Sequence, residues 1–328
     1  MIEIVRSNFF PKKKDFININ DLKIILQNQI INFDLSKKLK ISEVSSLNYL
    51  KENSILFLSK TSNIPDLNNK SLIIITEDKN SYDLINKNKI LVKSLSRSYN
   101  YIINELFLHD DHIEYEDTFK LVNNSFISIY SKIHSSVKIF NGCTIGRGVE
   151  IGKNCIIKNN VIIKNSILSE NVIISDNTTI GSSGFGFDLK FMGANNIHPQ
   201  IGIVFIDENT HIGSNCTIDR GKIDNTHIGK RNMIDNMVHI AHNVITGDNV
   251  CIAAQTGISG SVKIGSNVII GGQAGFSGHI NIGDNVVVAA KSGVTKNVND
   301  NSQIAGFPAT DIKKWKRKII NERRYRYK

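Results

Sequence analysis

A bulky residue returns at every sixth position over much of this chain, and that period restricts the fold more than any other feature. From Ile228 the series runs Ile228, Ile234, Ile240, Thr246, Ile252, Ile258, Ile264, Ile270, Phe276, Ile282, Val288 and Val294, with Thr246 the one member that is not apolar. A second, mostly smaller residue stands two positions before each, as at Val238, Val244, Val250, Val262 and Val268. The same rhythm holds from Ile133 to Ile163. It resumes in shifted phase at Leu168, Ile174 and Ile180, and again at Ile206, Ile212 and Ile218. A period of six fits neither a helix nor plain strand alternation. Short strands with positions i and i−2 inward, bent by a turn in each hexad, close a triangular coil of about 18 residues. Such coils stack at ~4.8 Å. Each coil buries its bulky side chains on its neighbours, the logic of a solenoid. The interior is then filled, and chemistry is left to outward polar groups.

At 328 residues the chain exceeds one ordinary compact domain. Residues 1–115 show no hexads. There Ser54–Leu58, Leu72–Thr76 and Ile90–Leu95 read as strands, and Leu22–Leu26 and Tyr99–Leu108 as helical pieces, a small α/β domain. The coils occupy 116–308. Within them Ser182–Gln200, with Gly184-Phe185-Gly186-Phe187, breaks the repeat and reads as an ejected loop over a binding face. Residues 309–328 read as a terminal basic helix. Cys143, Cys155 and Cys216 fall in the small inward slot as core residues, whereas Cys251 faces outward.

Apolar runs such as Leu72–Ile75 are far short of the ~20 residues that span a bilayer. Met1 to Phe16 lacks the apolar region of a secretory signal, and four cysteines without CxxC spacing form neither a zinc ribbon nor a disulfide scaffold. A reducing cytoplasm is the expected compartment. The net charge of +10 is concentrated: residues 313–328 carry nine of the 40 basic side chains and one acid, Glu322. That patch suits an acidic partner, a protein, a phospholipid surface or a nucleic acid, or stays solvated.

Among outward polar groups, His242 lies two residues after Ile240. One and two coils later the equivalent positions are Gly260 and Gly278, so the three form a column with roughly 5 Å steps. An imidazole beside a glycine column offers a base next to open peptide N–H groups. Asp235, seven residues before His242, is the candidate carboxylate to fix its tautomer. The same residues also suit plain turns. His211, His227 and His239 read as turn or surface residues. His239, His242 and His279 allow a further reading as zinc ligands of a carbonic-anhydrase-like hydratase.

Several segments together carry a specific resemblance: Asp235 to Asn243, Gly271 to His279, Thr217-Ile218-Asp219-Arg220-Gly221, Gly184-Phe185-Gly186-Phe187 and Gly306-Phe307-Pro308-Ala309. From about 140 to 310 the chain resembles the UDP-3-O-(3-hydroxyacyl)glucosamine N-acyltransferases of lipid A synthesis, the LpxD family. The resemblance implies a left-handed parallel β-helix, mainly β, with the N-terminal α/β domain binding uridine. It implies acyl transfer from acyl carrier protein to the 2-amino group of a UDP-glucosamine substrate, in a homotrimer, with no cofactor, no metal and no nucleic acid. His242 resembles the general base, Gly260 the backbone oxyanion donor, Asp235 the carboxylate orienting the base, and His279 a second polar group near donor or sugar phosphate. Phe57 matches the first of two aromatics that hold uracil. The second position is Asn63, and the acid usual before the Gly-Phe-Gly-Phe loop is Ser183; both are departures from the family pattern. The rival readings are a CoA-dependent hexapeptide sugar acetyltransferase and a non-catalytic scaffold that binds acidic partners through its tail.

Overall fold

A computed structural model of the chain describes residues 6–36, 39–60, 71–86, 88–109, 116–187, 197–306, 317–318 and 320–321. Among the described residues the hexads build a parallel β-helix whose three faces hold 8, 9 and 10 strands, the ten including an antiparallel edge strand at 119–122. Most strands are two residues long, an outward residue followed by the buried bulky one. The inside is one continuous apolar core from Ile127 to Val294. Cys143, Cys155 and Cys216 lie within it, and burial pushes their thiols up in pKa; Cys251 is exposed.

What bends the chain at each corner is a left-handed residue three positions before the bulky one. Asn243, Asn249, Gln255, Ser261, Asn267, Gln273, His279 and Asn285 have φ between 57° and 63°. Asparagine is the side chain best suited to that conformation after glycine, which explains its recurrence at corners. The corner amides also stack: Asn249 donates to Asn267 at 3.0 Å, Asn267 to Asn285 at 3.2 Å and Asn285 to Asn301 at 3.0 Å.

Coil length is not constant, and this accounts for the phase shifts. On the ten-stranded face His239 pairs with Gly257, Gly257 with Gly275 and Gly275 with Gly293, each step 18 residues. Lower down, Ile162 pairs with Thr179, a step of 17. Between them Thr179 pairs with Thr217 and Thr217 with His239, steps of 38 and 22. The chain therefore ejects two loops on the same corner, a long one after Thr179–Ser182 and a short one after Thr217–Asp219. Of the long loop, Phe187 bridges Ile197 in an antiparallel pair.

Thr246, the polar exception in the series, is buried and fully engaged. Its hydroxyl accepts from Asn232 Nδ2 at 2.6 Å and from the Gly229 N–H at 2.9 Å, while Asn232 Oδ1 accepts from the Val250 N–H at 2.7 Å. Asn232 takes the slot that valine fills elsewhere, so the two polar residues form a matched pair inside the core.

Ahead of the helix, strands at 43–45, 54–58, 72–76 and 89–92 run parallel, with 30–34 antiparallel at the edge. Helices at 19–25, 79–84 and 95–106 flank them. The first and last helices start earlier than their apolar pattern suggests, because Asn18 with Asp21 forms a capping box and Ser94 caps the last. The strand before it ends at Val92, three residues short of expectation. The apolar core of this domain continues into Ile201 and Ile203 of the β-helix. Buried Arg6 rivets the joint, donating to Ile201 O at 3.0 Å, Val44 O at 3.1 Å and Ile223 O at 3.2 Å, and pairing with Glu43 at 3.3 Å. Of the expected terminal helix, only Arg317, Lys318, Ile320 and Asn321 are described, all helical; the remainder of 309–328 lies outside the described residues.

Thr246→Val restores the apolar repeat, yet it strips the Gly229 N–H and Asn232 Nδ2 of their acceptor inside the core. Chemical unfolding of the variant is expected to show a loss of about 1–3 kcal/mol for the unsatisfied groups. A repeat-based reading predicts a gain instead.

Candidate functional site

The ten-stranded face carries the site. Its outward column ends in His239, Gly257, Gly275 and Gly293. A Cβ on any of these three glycines would meet nothing within 4 Å, so they floor an open groove. The groove encloses about 610 Å³ and runs past Ser259, Ser277 and Thr295, with Phe185 of the long loop and His242 at its lower end. Phe185 is 83% exposed and meets Phe187 edge-on at 4.7 Å.

His242 follows the strand His239–Ile240 and is half-buried. The expected column is present: Ser261 N–H donates to His242 O at 2.9 Å, and His279 N–H to Gly260 O at 3.1 Å. Glycine at 260 leaves the imidazole its place, since a Cβ there would sit 2.7 Å from His242 Cε1 and 2.8 Å from Nε2 and displace the ring. The Gly260 N–H itself donates to nothing among the described residues. The imidazole edge bearing Nε2 thus lies over open backbone.

The partner of the other ring nitrogen is Asn243. Its Oδ1 accepts from the Lys222 backbone N–H at 3.0 Å and its Nδ2 donates to Asp224 O at 2.9 Å. A peptide N–H can only donate and a carbonyl only accept, so these two bonds fix which end of the amide is oxygen. His242 Nδ1, 3.1 Å from that oxygen, must then carry the proton. Nε2 is left as the basic nitrogen facing the groove. Asn243 is a corner residue, φ 61°, and the sequence reading saw in it no chemical role.

Asp235, expected to orient the base, does not reach it within the chain. It follows Met233–Ile234 on the nine-stranded face, where its carboxylate accepts from the Asn236 N–H at 2.7 Å and the Ala254 N–H at 3.2 Å. Seven residues carry the chain around one corner of the triangle, which turns Asp235 away. The carboxylate acting on the site is Asp219, 8% exposed and 3.8 Å from His239 Nε2. Burial pushes its carboxyl up, against the opposing pull of His239, His242 and Arg220. His239 also meets Thr217 Oγ1 at 2.7 Å and lines the groove, more than the surface residue it read as. His279 is exposed at the corner two coils above Asn243, outside the groove lining. Among the described residues no group of three or more His, Cys, Asp or Glu is placed to hold a metal ion.

Below the base the short loop meets the N-terminal domain. Lys222 Nζ lies 4.3 Å over the Tyr99 ring and 3.2 Å from His198 Nδ1, and His198 Nε2 meets Ser96 Oγ at 2.7 Å. Burial depresses Lys222 to about 8. Phe57, the candidate uracil wall, is half-buried and meets Tyr99 edge-on at 5.1 Å. Asn63 lies outside the described residues.

Comparison with known proteins bears on the fold. Residues 261–296 match the hexapeptide repeat of succinyl-transferase and 127–196 the GMPPB C-terminal domain. The chain is 30% identical to the UDP-N-acetylglucosamine O-acyltransferase (LpxA) of Moraxella catarrhalis RH4, with a TM-score of 0.51 over 60% of this chain and 76% of that one. A stretch of 84 residues is 51% identical to the UDP-3-O-acylglucosamine N-acyltransferase of Leptospira biflexa, and one of 82 residues is 55% identical to that of Methylacidiphilum infernorum. These stretches span 24% and 23% of those relatives' lengths. The fold and these matches define a left-handed parallel β-helix of the acyltransferase type. The chain belongs to the hexapeptide-repeat acyltransferases.

Two measurements check the site. Asn243→Gly keeps the left-handed corner unstrained while removing Oδ1; imidazole ¹⁵N shifts should show His242 losing its pure Nδ1–H tautomer. Lys222 gives a pH signature. Between about 8 and its ordinary 10.5 the folded chain has released a proton that the unfolded chain still holds, so stability should rise with pH across that window. Melting temperatures of Lys222→Met should lack that slope.

Proposed function

We propose that the chain transfers a 3-hydroxyacyl group from acyl carrier protein to the 2-amino group of UDP-3-O-acylglucosamine, a step of lipid A synthesis. The observation that carries this is the contact of His242 Nδ1 with Asn243 Oδ1, which leaves a basic Nε2 beside Gly260. Nε2 takes a proton from the sugar amine as its nitrogen attacks the thioester carbon. Negative charge gathers on the carbonyl oxygen, where the Gly260 N–H can meet it. Collapse expels the phosphopantetheine thiolate, and the imidazolium returns the proton to sulfur. No enzyme nucleophile takes part, in keeping with core thiols whose pKa is raised. The carrier's phosphopantetheine brings the acyl group, so the chain needs no cofactor of its own.

The remaining assignments belong to the same reading. Phe57 is a wall of the uracil site, and His279 contacts the donor or sugar phosphate. The glycine-floored groove is open to solvent in one chain, as a groove roofed by a neighbouring prism in a homotrimer would be. The basic tail docks the acidic carrier protein. No helix among the described residues is long and apolar enough to cross a membrane, and the reaction is assigned to the cytoplasm, with peripheral contact at the inner membrane through the same basic tail.

His242→Ala should lower kcat by about 10²–10⁴-fold, the usual weight of a general base, with melting near that of the parent chain. The assay presents 3-hydroxyacyl carrier protein and acetyl-CoA as competing donors. Turnover from acetyl-CoA alone would transfer the site to an acetyltransferase, and full activity in the variant would remove the base.

A further inference from the structure

We propose that Arg220 and Gln200 are positioning residues that hold Gly184 as a backstop behind the imidazole of His242. The inference rests on the reading of His242 as the base and gives a task to two segments the reaction leaves unused, the Gly-Phe-Gly-Phe loop and the strand-end Arg220.

The imidazole is a slab between two glycines. A Cβ on Gly184 would lie 2.6 Å from His242 Cβ and 2.8 Å from Cδ2, while Gly260 presses the Cε1–Nε2 edge from the other side. Gly260 is fixed by the coil above. Gly184 belongs to an ejected loop and has no such ladder, so something else must hold it.

Arg220 and Gln200 do so. Arg220 is fully buried, with its guanidinium 5.6 Å from the Phe10 ring centre. It donates to Gly181 O at 3.0 Å, Ser183 Oγ at 2.6 Å and Gln200 O at 2.9 Å, and its backbone N–H donates to Ser182 O at 2.9 Å. Three acceptors in divergent directions suit a planar fork and not the single point charge of lysine. Gln200, also fully buried, donates from Nε2 to Gly184 O at 3.0 Å. Its Oε1 is buried without a hydrogen-bond partner among the described residues. An orphaned acceptor costs stability, so an amide here is retained for what its other end does. With the bracket intact, the imidazole cannot tilt away from Asn243. With the bracket loosened, Gly184 recedes and the ring is free to turn.

The test uses the full chain in two near-isosteric variants, Gln200→Met and Arg220→Met. Crystal structures and imidazole ¹⁵N shifts report the ring without any substrate, so they decide the backstop even if the chain proves to have another activity. In Gln200→Met the ring is expected to leave Asn243 and lose its fixed tautomer, with melting close to the parent. On the proposed substrates kcat should then fall by about 10–10²-fold, the scale of a small misplacement, while KM stays within about twofold. Arg220→Met should do the same more severely, and Arg220→Lys should recover only part. If Arg220→Met does not fold, Gln200→Met decides alone. A ring that keeps its place and tautomer in Gln200→Met, or a change confined to KM, overturns the proposal.

Discussion

Everything in the β-helix follows from one constraint: successive coils must hydrogen-bond in register. That register makes each outward position a vertical column, so a side chain's neighbour is the residue one coil away and not the residue beside it in sequence. His242 meets Gly260 for this reason, 18 positions apart. The same constraint requires every corner to adopt a conformation that ordinary side chains resist. The chain meets that demand with asparagines whose amides then stack along the edge. Backbone geometry and side-chain bonding therefore select the same residue type.

The asymmetry of the site comes from where that constraint is relaxed. Above His239 the 18-residue coils line the groove with Gly257, Gly275 and Gly293, with Ser259, Ser277 and Thr295, and with Ile258, Phe276 and Val294. Below it two oversized coils throw out loops on one corner, and these bring Gly184, Gln200, Arg220, Lys222 and Asp224 beneath the base. A neutral amide, Asn243, fixes the tautomer, while the buried carboxylate Asp219 stands nearer His239. Proton positioning and charge compensation are thus assigned to separate residues.

What could be seen in the sequence divides along physical lines. The β-helix, the inward cysteines and the His242–Gly260–Gly278 column all depend on a strict period, and period is a property of sequence. Three strands of the N-terminal domain were visible for a similar reason, as short apolar runs. Asp235 misled because distance along a triangular coil is not distance in space: seven residues pass a corner. Asn243 was hidden behind its conformational duty, since a corner asparagine needs no second explanation. Arg220 and Gln200 could not be placed because the loop that joins them interrupts the period on which the reading relied. A buried arginine at the end of a solenoid strand was the one available sign.

The contrast between regular and irregular coils bears on how such a chain can change over time. The upper coils are interchangeable modules. Adding one beyond the coil that carries Gly260 leaves every contact around His242 intact, so the column can lengthen in whole steps while its chemistry stays fixed. The two oversized coils admit no such editing, because each extra residue there is committed to a particular contact around the histidine. Variation in this architecture should therefore accumulate at the top of the prism, with its irregular waist held constant.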